Sequence, residues 1–353
     1  MSQMADQTSR QTPQHTDAII IGAGPVGLFA VFECGMLGLK CHVVDALEMP
    51  GGQLSALYPE KPIYDIPGHP QIAAKDLVAQ LVEQAAPFEP VYHLGSPVVE
   101  LAQDGQGWRV TTASGAAVSA PAVIVCAGVG AFGPNRPPLD GIQNFEDQGP
   151  GLGVKYMVGR IDDFKGRRVV IAGGGDSAVD WALSLAEVAE SLAVVHRRPK
   201  FRAAPDNVRK LEELAAAGRI DLVIPYQLGG LVGDGATLRA VIARDLDGAE
   251  RRLEADVLLP FFGMLQQLGP IADWQLDLED SHIVVDPATM ATDRPGLFAA
   301  GDIVTYPGKL KLILTGFAEA AAAAHGAHAV ARPGEILHFE YSTTKGVPGG
   351  GAV

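Results

Sequence analysis

The sequence predicts a three-layer α/β chain that uses one strand–turn–helix plan twice. Three observations carry this. A β-branched run leads into a glycine-rich turn and a helix within residues 17–37, the same order returns within 168–188, and an apolar strand ending in Gly-Asp at 295–302 precedes a long Ala-rich helix. With 353 residues, 47% hydrophobic and 19% charged, the chain can bury two ordinary cores.

Residues 1–16 are polar and lack an apolar stretch, which predicts a disordered extension on a cytoplasmic protein. Asp17-Ala18-Ile19-Ile20-Ile21 then reads as a strand, Gly22-Ala23-Gly24-Pro25-Val26-Gly27 as a turn, and Leu28 to Leu37 as a helix. Each glycine has a physical task. Gly22 makes the tight turn, Gly24 lets backbone N–H groups approach a pyrophosphate, Gly27 lets the helix pack on its strand, and the helix N-terminus attracts the phosphates. The next strand, Cys41-His42-Val43-Val44-Asp45, ends in a carboxylate able to accept both hydroxyls of an adenosine ribose. This is a Rossmann-type dinucleotide fold.

Arg168-Val169-Val170-Ile171-Ala172 repeats the strand, Gly173-Gly174-Gly175-Asp176-Ser177-Ala178 the turn, and Val179 to about Val188 the helix. Alanine at 178 replaces the third glycine, a permitted small residue. The strand after it ends in His196-Arg197-Arg198. His196 lies 23 residues beyond Gly173, as Asp45 lies 23 beyond Gly22. An acid has become a run of bases. Asp45 would repel a ribose 2′-phosphate and the bases would bind one, so the first site is expected to hold FAD or NAD and the second NADP.

Pro295 to Asp302 forms the third element, followed by a helix from Leu312 to about Arg332. Asp302 there can bond the ribityl or pyrophosphate region of FAD, and the helix N-terminus can face the flavin ring. Two dinucleotide sites without a metal cluster suit a flavoprotein that passes hydride between a nicotinamide and FAD.

Composition narrows the function further. With 27 basic and 41 acidic side chains the net charge is −14, against a general nucleic-acid binder. Cys34, Cys41 and Cys126 form no CxxC pair, so neither a structural zinc site nor a dithiol redox centre is expected. The longest uncharged stretch, Thr111 to Asn135, is cut by glycines and prolines and is not expected to span a membrane.

Over residues 16 to 345 these motifs resemble the thioredoxin-reductase-like flavoproteins, and more closely the ferredoxin:NADP+ reductases of that type. The resemblance rests on Gly51-Gly52-Gln53-Leu54-Ser55-Ala56-Leu57-Tyr58-Pro59-Glu60-Lys61 with Ile63-Tyr64-Asp65, and on Gly174 to Leu183 with His196-Arg197-Arg198 and Phe201-Arg202-Ala203. It implies an FAD-binding domain of residues 17–128 and 263–345, split by an NADPH-binding domain of residues 129–262; the glycine-rich composition of residues 346–353 separately predicts a flexible tail. FAD contacts are implied at Asp45, Gln53, Tyr58, Val98, Phe132, Asp302 and Thr343. Tyr58 would stack on one flavin face and Tyr341 would cover the other. The resemblance also implies a homodimer, and ferredoxin or flavodoxin as the electron partner.

Where a thioredoxin reductase carries its Tyr-Cys-x-x-Cys segment, this chain has Tyr156-Met157-Val158-Gly159-Arg160. Electrons are therefore expected to leave the flavin directly. NADPH is expected to place its 2′-phosphate on Arg197 and Arg198, helped by Lys200 and Arg202, and its pyrophosphate over Gly173 to Gly175. An NAD(P)H oxidase or diaphorase on the same fold, and a flavin-bearing redox sensor that binds a protein, stay open at this point. The basic run from Arg197 to Lys210 is the visible cationic feature, but it does not identify a docking surface for an acidic partner.

Overall fold

The computed structural model describes residues 13–337, 346 and 347, except 106, 147 and 236, and leaves aside the side chains of 131–134 and 264–267. The chain divides into two compact units, one formed by Met1–Ala131 with Gln266–Val353 and the other by Phe132–Leu265.

In the first unit five parallel strands lie in the order Leu297–Ala299, Ala122–Val125, Ala18–Ile21, Cys41–Val44, Val91–His93. Ala18–Ile21, the strand that leads into the first glycine turn, is thus central. Its neighbours run outward in opposite directions, so the turn after Ile21 opens where the strand order reverses, the place where open α/β sheets bind ligands. The strand is buried along its length, as expected of a parallel strand covered on both faces. Helices Pro25–Met36 and Ile313–Ala331 cover this sheet, and small buried residues of the second, Ala320, Ala323, Ala324 and Ala327, belong to the same core. A smaller apolar cluster around Leu28, Leu54, Leu77 and Leu81 includes Tyr58, Ile63 and Ile313 at its edge.

A second sheet in this unit corrects one expectation. Gln14 and His15, read from composition as disordered, form a short strand parallel to Val118–Ser119. Thr16 continues the contact, its N–H donating to the Ser119 carbonyl at 3.1 Å and its hydroxyl to the Lys40 carbonyl at 2.8 Å. The partners lie about a hundred residues away, and the side chains are exposed, so no apolar alternation marks the pairing.

The second unit repeats the plan. Its parallel strands run Gly153–Val154, Val257–Pro260, Arg168–Ala172, Ser191–Val195, Asp221–Val223, with helices Asp176–Leu185 and Pro205–Ala216. An antiparallel meander, Gln227–Asp234, Thr237–Arg244 and Glu250–Glu254, completes its core. Again the glycine turn follows a central strand at a reversal of order.

Candidate functional site

The first glycine turn is built by contacts that exclude side chains. Gly22 donates its N–H to the Val44 carbonyl at 2.8 Å, and at φ +112° a Cβ there would run into the Cys126 carbonyl. A Cβ on Gly27 would overlap the Gly22 carbonyl oxygen, so the helix can approach only because position 27 has none. A Cβ on Gly24 would meet nothing closer than the Gly52 Cα, at 4.0 Å. Pro25 takes the first helical position, where its missing N–H costs nothing, and no side chain caps the helix start. Uncapped N–H donors beside a side-chain-free cradle fit a pyrophosphate.

Asp45 completes this site. Its two carboxylate oxygens accept the N–H groups of Ala23, at 2.5 Å, and Leu47, at 2.8 Å. The acid is therefore tied to the turn it serves. Burial raises its pKa, and the backbone donors work against that shift. Each oxygen keeps a second lone pair for a ribose hydroxyl. The following loop folds onto the turn, with the Gly51 N–H donating to the Ala23 carbonyl at 2.8 Å and the Gln53 amide nitrogen 3.6 Å from where a Cβ on Gly128 would lie.

Tyr58 is half-buried, and its pKa is raised first by burial and then by the Asp302 charge, so the two residues share one electrostatic neighbourhood. Val98 is buried in the core, which leaves its backbone as the group it can offer a ligand. The backbone of Phe132 lies in strand Ala131–Pro134, while its side chain, together with Tyr341 and Thr343, lies outside the described residues.

Asp302 has a support that sequence reasoning missed. The preceding residue, Gly301, donates its N–H to Oε2 of buried Glu319 at 2.7 Å. Oε1 of that carboxylate accepts the Tyr306 hydroxyl at 2.6 Å and the Lys309 ammonium at 2.5 Å. The Lys309 and Glu319 side chains are 6% and 4% exposed, a buried ion pair. The available signal was a lone acid: Glu319 is the one Asp, Glu, Lys or Arg in the 19 residues of Ile313–Ala331.

In the second unit the loop after Ser191–Val195 folds back over the glycine turn. The Arg202 N–H donates to the Gly174 carbonyl at 2.7 Å, and the Ala204 N–H to Oδ1 of Asp176 at 2.9 Å. Gly175, which starts the helix uncapped, faces open space, and Asp176 and Ser177 are exposed beside it.

His196 packs inward, unlike the arginines that follow it. Its ring is buried, lies where a Cβ on Gly174 would have to be, and stacks on Phe201 with centroids 5.1 Å apart. Nε2 lies 3.2 Å from the Lys200 carbonyl and donates to it, since a carbonyl can only accept. Burial lowers the pKa of the ring, the hydrogen bond to the Lys200 carbonyl opposes that shift, and the charges of Arg202, Arg198 and Arg197 add to it. Buried against Phe201 with one nitrogen engaged, the ring braces the loop. Arg197, Arg198, Lys200 and Arg202 are all exposed, and none makes an ion pair among the described residues. The rest of the basic run is spent on its own helix, since Arg209 pairs with Asp206 and Glu213, and Lys210 with Asp206, at 2.6–2.7 Å.

The segment Tyr156–Arg160 carries no thiol. Tyr156 donates its hydroxyl to Glu146 at 2.6 Å, Met157 is exposed and Val158 is buried. All three cysteines are buried as free thiols, and burial raises the pKa of Cys126. Among the described residues no helix is long and apolar enough to cross a membrane.

Residues 16–327 match the pyridine nucleotide-disulphide oxidoreductase family. The chain is 63% identical to a ferredoxin–NADP reductase of Paramagnetospirillum magneticum, over 96% of this chain and 99% of that protein. It is 61% identical to a ferredoxin–NADP reductase of Rhodospirillum rubrum, over 97% and 99%. Among solved structures, the thioredoxin reductase of T. acidophilum matches with a TM-score of 0.76 at 24% identity, over 90% of this chain and 98% of that one. The thioredoxin reductase of Lactococcus lactis matches with the same score at 22% identity, over 90% and 99%. At that identity the likeness is one of fold.

Proposed function

The chain belongs to the pyridine nucleotide-disulphide oxidoreductase family, and we propose that within it the protein is an FAD-dependent ferredoxin–NADP reductase. One observation carries the reading: two glycine turns of the same plan end in opposite charge, Asp45 at one and Arg197-Arg198 at the other. The names of the curated relatives support ferredoxin as the one-electron partner, with flavodoxin as a chemical equivalent.

When bound, FAD supplies the change between two-electron hydride chemistry and one-electron transfer. The chain's own residues have positional tasks. Gly24 and the uncapped N–H groups of the first helical turn present donors to the FAD pyrophosphate while Gly22, Pro25 and Gly27 shape that turn, Asp45 accepts the ribose hydroxyls, and Gln53, Tyr58 and Asp302 surround the flavin half. Gly173 to Ser177 do the same for NADP(H), while Arg197, Arg198 and Arg202 receive the 2′-phosphate. Single-electron transfer to a protein requires no acid, base or nucleophile from the enzyme, consistent with a Tyr156–Arg160 segment that lacks sulfhydryl groups. Covering of the flavin by Tyr341, homodimer formation and cytoplasmic location belong to the same reading. Buried free thiols support the last, and resemblance alone the first two.

Steady-state oxidation of NADPH with a purified low-potential ferredoxin or flavodoxin tests the proposal. Yellow protein that reduces ferredoxin faster than oxygen and prefers NADPH to NADH is the expected result. Colourless protein that takes up no FAD would overturn it, and faster turnover with oxygen than with ferredoxin would make it an oxidase.

A further inference from the structure

Glu319 makes a cluster that the proposed chemistry does not account for. A buried Lys–Glu pair is weak evidence of stabilisation, because desolvating both charges consumes most of the attraction, and apolar replacements of like size are often neutral or better. Helix Ile313–Ala331 is otherwise suited to such packing, being rich in alanine and free of other Asp, Glu, Lys or Arg side chains. Yet the carboxylate reaches from this helix to the backbone N–H of Gly301, the residue before Asp302. Gly301 has φ +88° and its Cβ position lies against Val26 of the first glycine-turn helix, so the turn has little room to shift.

We infer that Glu319 is a positioning residue for the FAD site: its carboxylate fixes the Gly301–Asp302 turn through the Gly301 N–H, with Lys309 and Tyr306 holding that carboxylate in place. Lys309 neutralises the buried anion, and its ammonium lies 5.7 Å from the Tyr306 ring centroid, so three side chains from the helix and its leading loop lock one backbone donor. The inference rests on the reading of Asp302 as an FAD contact.

Two double variants separate this role from plain stability. K309M/E319Q removes both charges but keeps a carbonyl oxygen for the Gly301 N–H, whereas K309M/E319L removes the acceptor as well. FAD dissociation constants, thermal unfolding of the FAD-free proteins and hydrogen exchange of the Gly301 amide are measured together. We expect K309M/E319Q to bind FAD within about threefold of the parent and K309M/E319L to bind about tenfold or more weakly, the order of one buried hydrogen bond, while their unfolding midpoints stay close. The Gly301 amide is expected to be protected in the parent and in K309M/E319Q. Equal FAD affinity in both double variants, or FAD loss that merely follows the unfolding midpoint, overturns the inference. So does an unprotected Gly301 amide in the parent, a result available even if K309M/E319L does not fold. A parent protein that binds no FAD instead removes the underlying reading of the site.

Discussion

In the proposed function Arg197 and Arg198 carry the choice between NADPH and NADH, a reading supported by their being exposed cations without ion-pair partners among the described residues, held on a loop anchored to the glycine turn. An anion placed between them gains charge-assisted hydrogen bonds without first breaking any. Replacing both by alanine is expected to raise the Michaelis constant for NADPH about tenfold or more and to leave that for NADH within about twofold. Parallel loss with both cofactors would show that the two residues shape the loop instead. The sequence made this charge reversal legible through equal spacing, but not the inward packing of His196. Whether a histidine at a strand end faces solvent or packs inward depends on what the fold lays over it. Here Gly174 opens a space for the ring and Phe201 closes it, and neither contact has a local pattern.

Strand Arg168–Ala172 aims the second turn, and its start is pinned by Asp256. Oδ2 of that carboxylate accepts the Arg168 backbone N–H at 2.9 Å and Oδ1 accepts the guanidinium at 2.6 Å. The hydrogen bond from Arg168 holds the Asp256 pKa below its ordinary 3.8, against a smaller opposing effect of burial. A carboxyl whose pKa is depressed in the folded state stabilises that state above its unfolded pKa and loses the contribution as pH falls through the folded value. Asp256→Ala is therefore expected to cost about 1–3 kcal/mol at pH 7 in urea unfolding, with the gap to the parent closing as pH drops below 3.8. A gap that stays constant into acid would remove the ion pair as its cause. Strands of this kind were easy to read, since parallel strands buried on both faces leave unbroken β-branched runs. Helix starts were read less well. The helix expected from Leu28 begins at Pro25, and the one expected from Val179 begins at Asp176, because the first turn uses residues chosen for backbone geometry rather than burial. Glu319 stood out as a lone acid in its helix, but its partners did not, because residues 301, 306 and 309 come from a loop with no periodicity to announce them.

At the scale of the molecule, each unit has its own apolar core and its own glycine turn, so each can respond to its own ligand. A net charge of −14 opposes the approach of any dinucleotide, and the opposition must be met locally, by uncapped helix N-termini at both turns and by the cations of residues 197–202 at the second. A ligand that binds only the native state stabilises what it touches by mass action, by about 2.7 kcal/mol at a hundred times its dissociation constant. Hydrogen exchange can therefore assign the two sites separately. FAD is expected to slow exchange of the amides from Ala23 to Leu28 and of Leu47, where Asp45 is tied, and NADP+ to slow those from Gly174 to Ala178 and of Arg202. In Arg197→Ala/Arg198→Ala protein the NADP+ effect should need about tenfold or more NADP+ to appear while the FAD effect is unchanged, because Asp45 and its turn belong to the other unit. Protection by NADP+ at Ala23–Leu28, or by FAD at Gly174–Ala178, would exchange the two assignments, and with them the account of why an acid ends one strand and bases end the other.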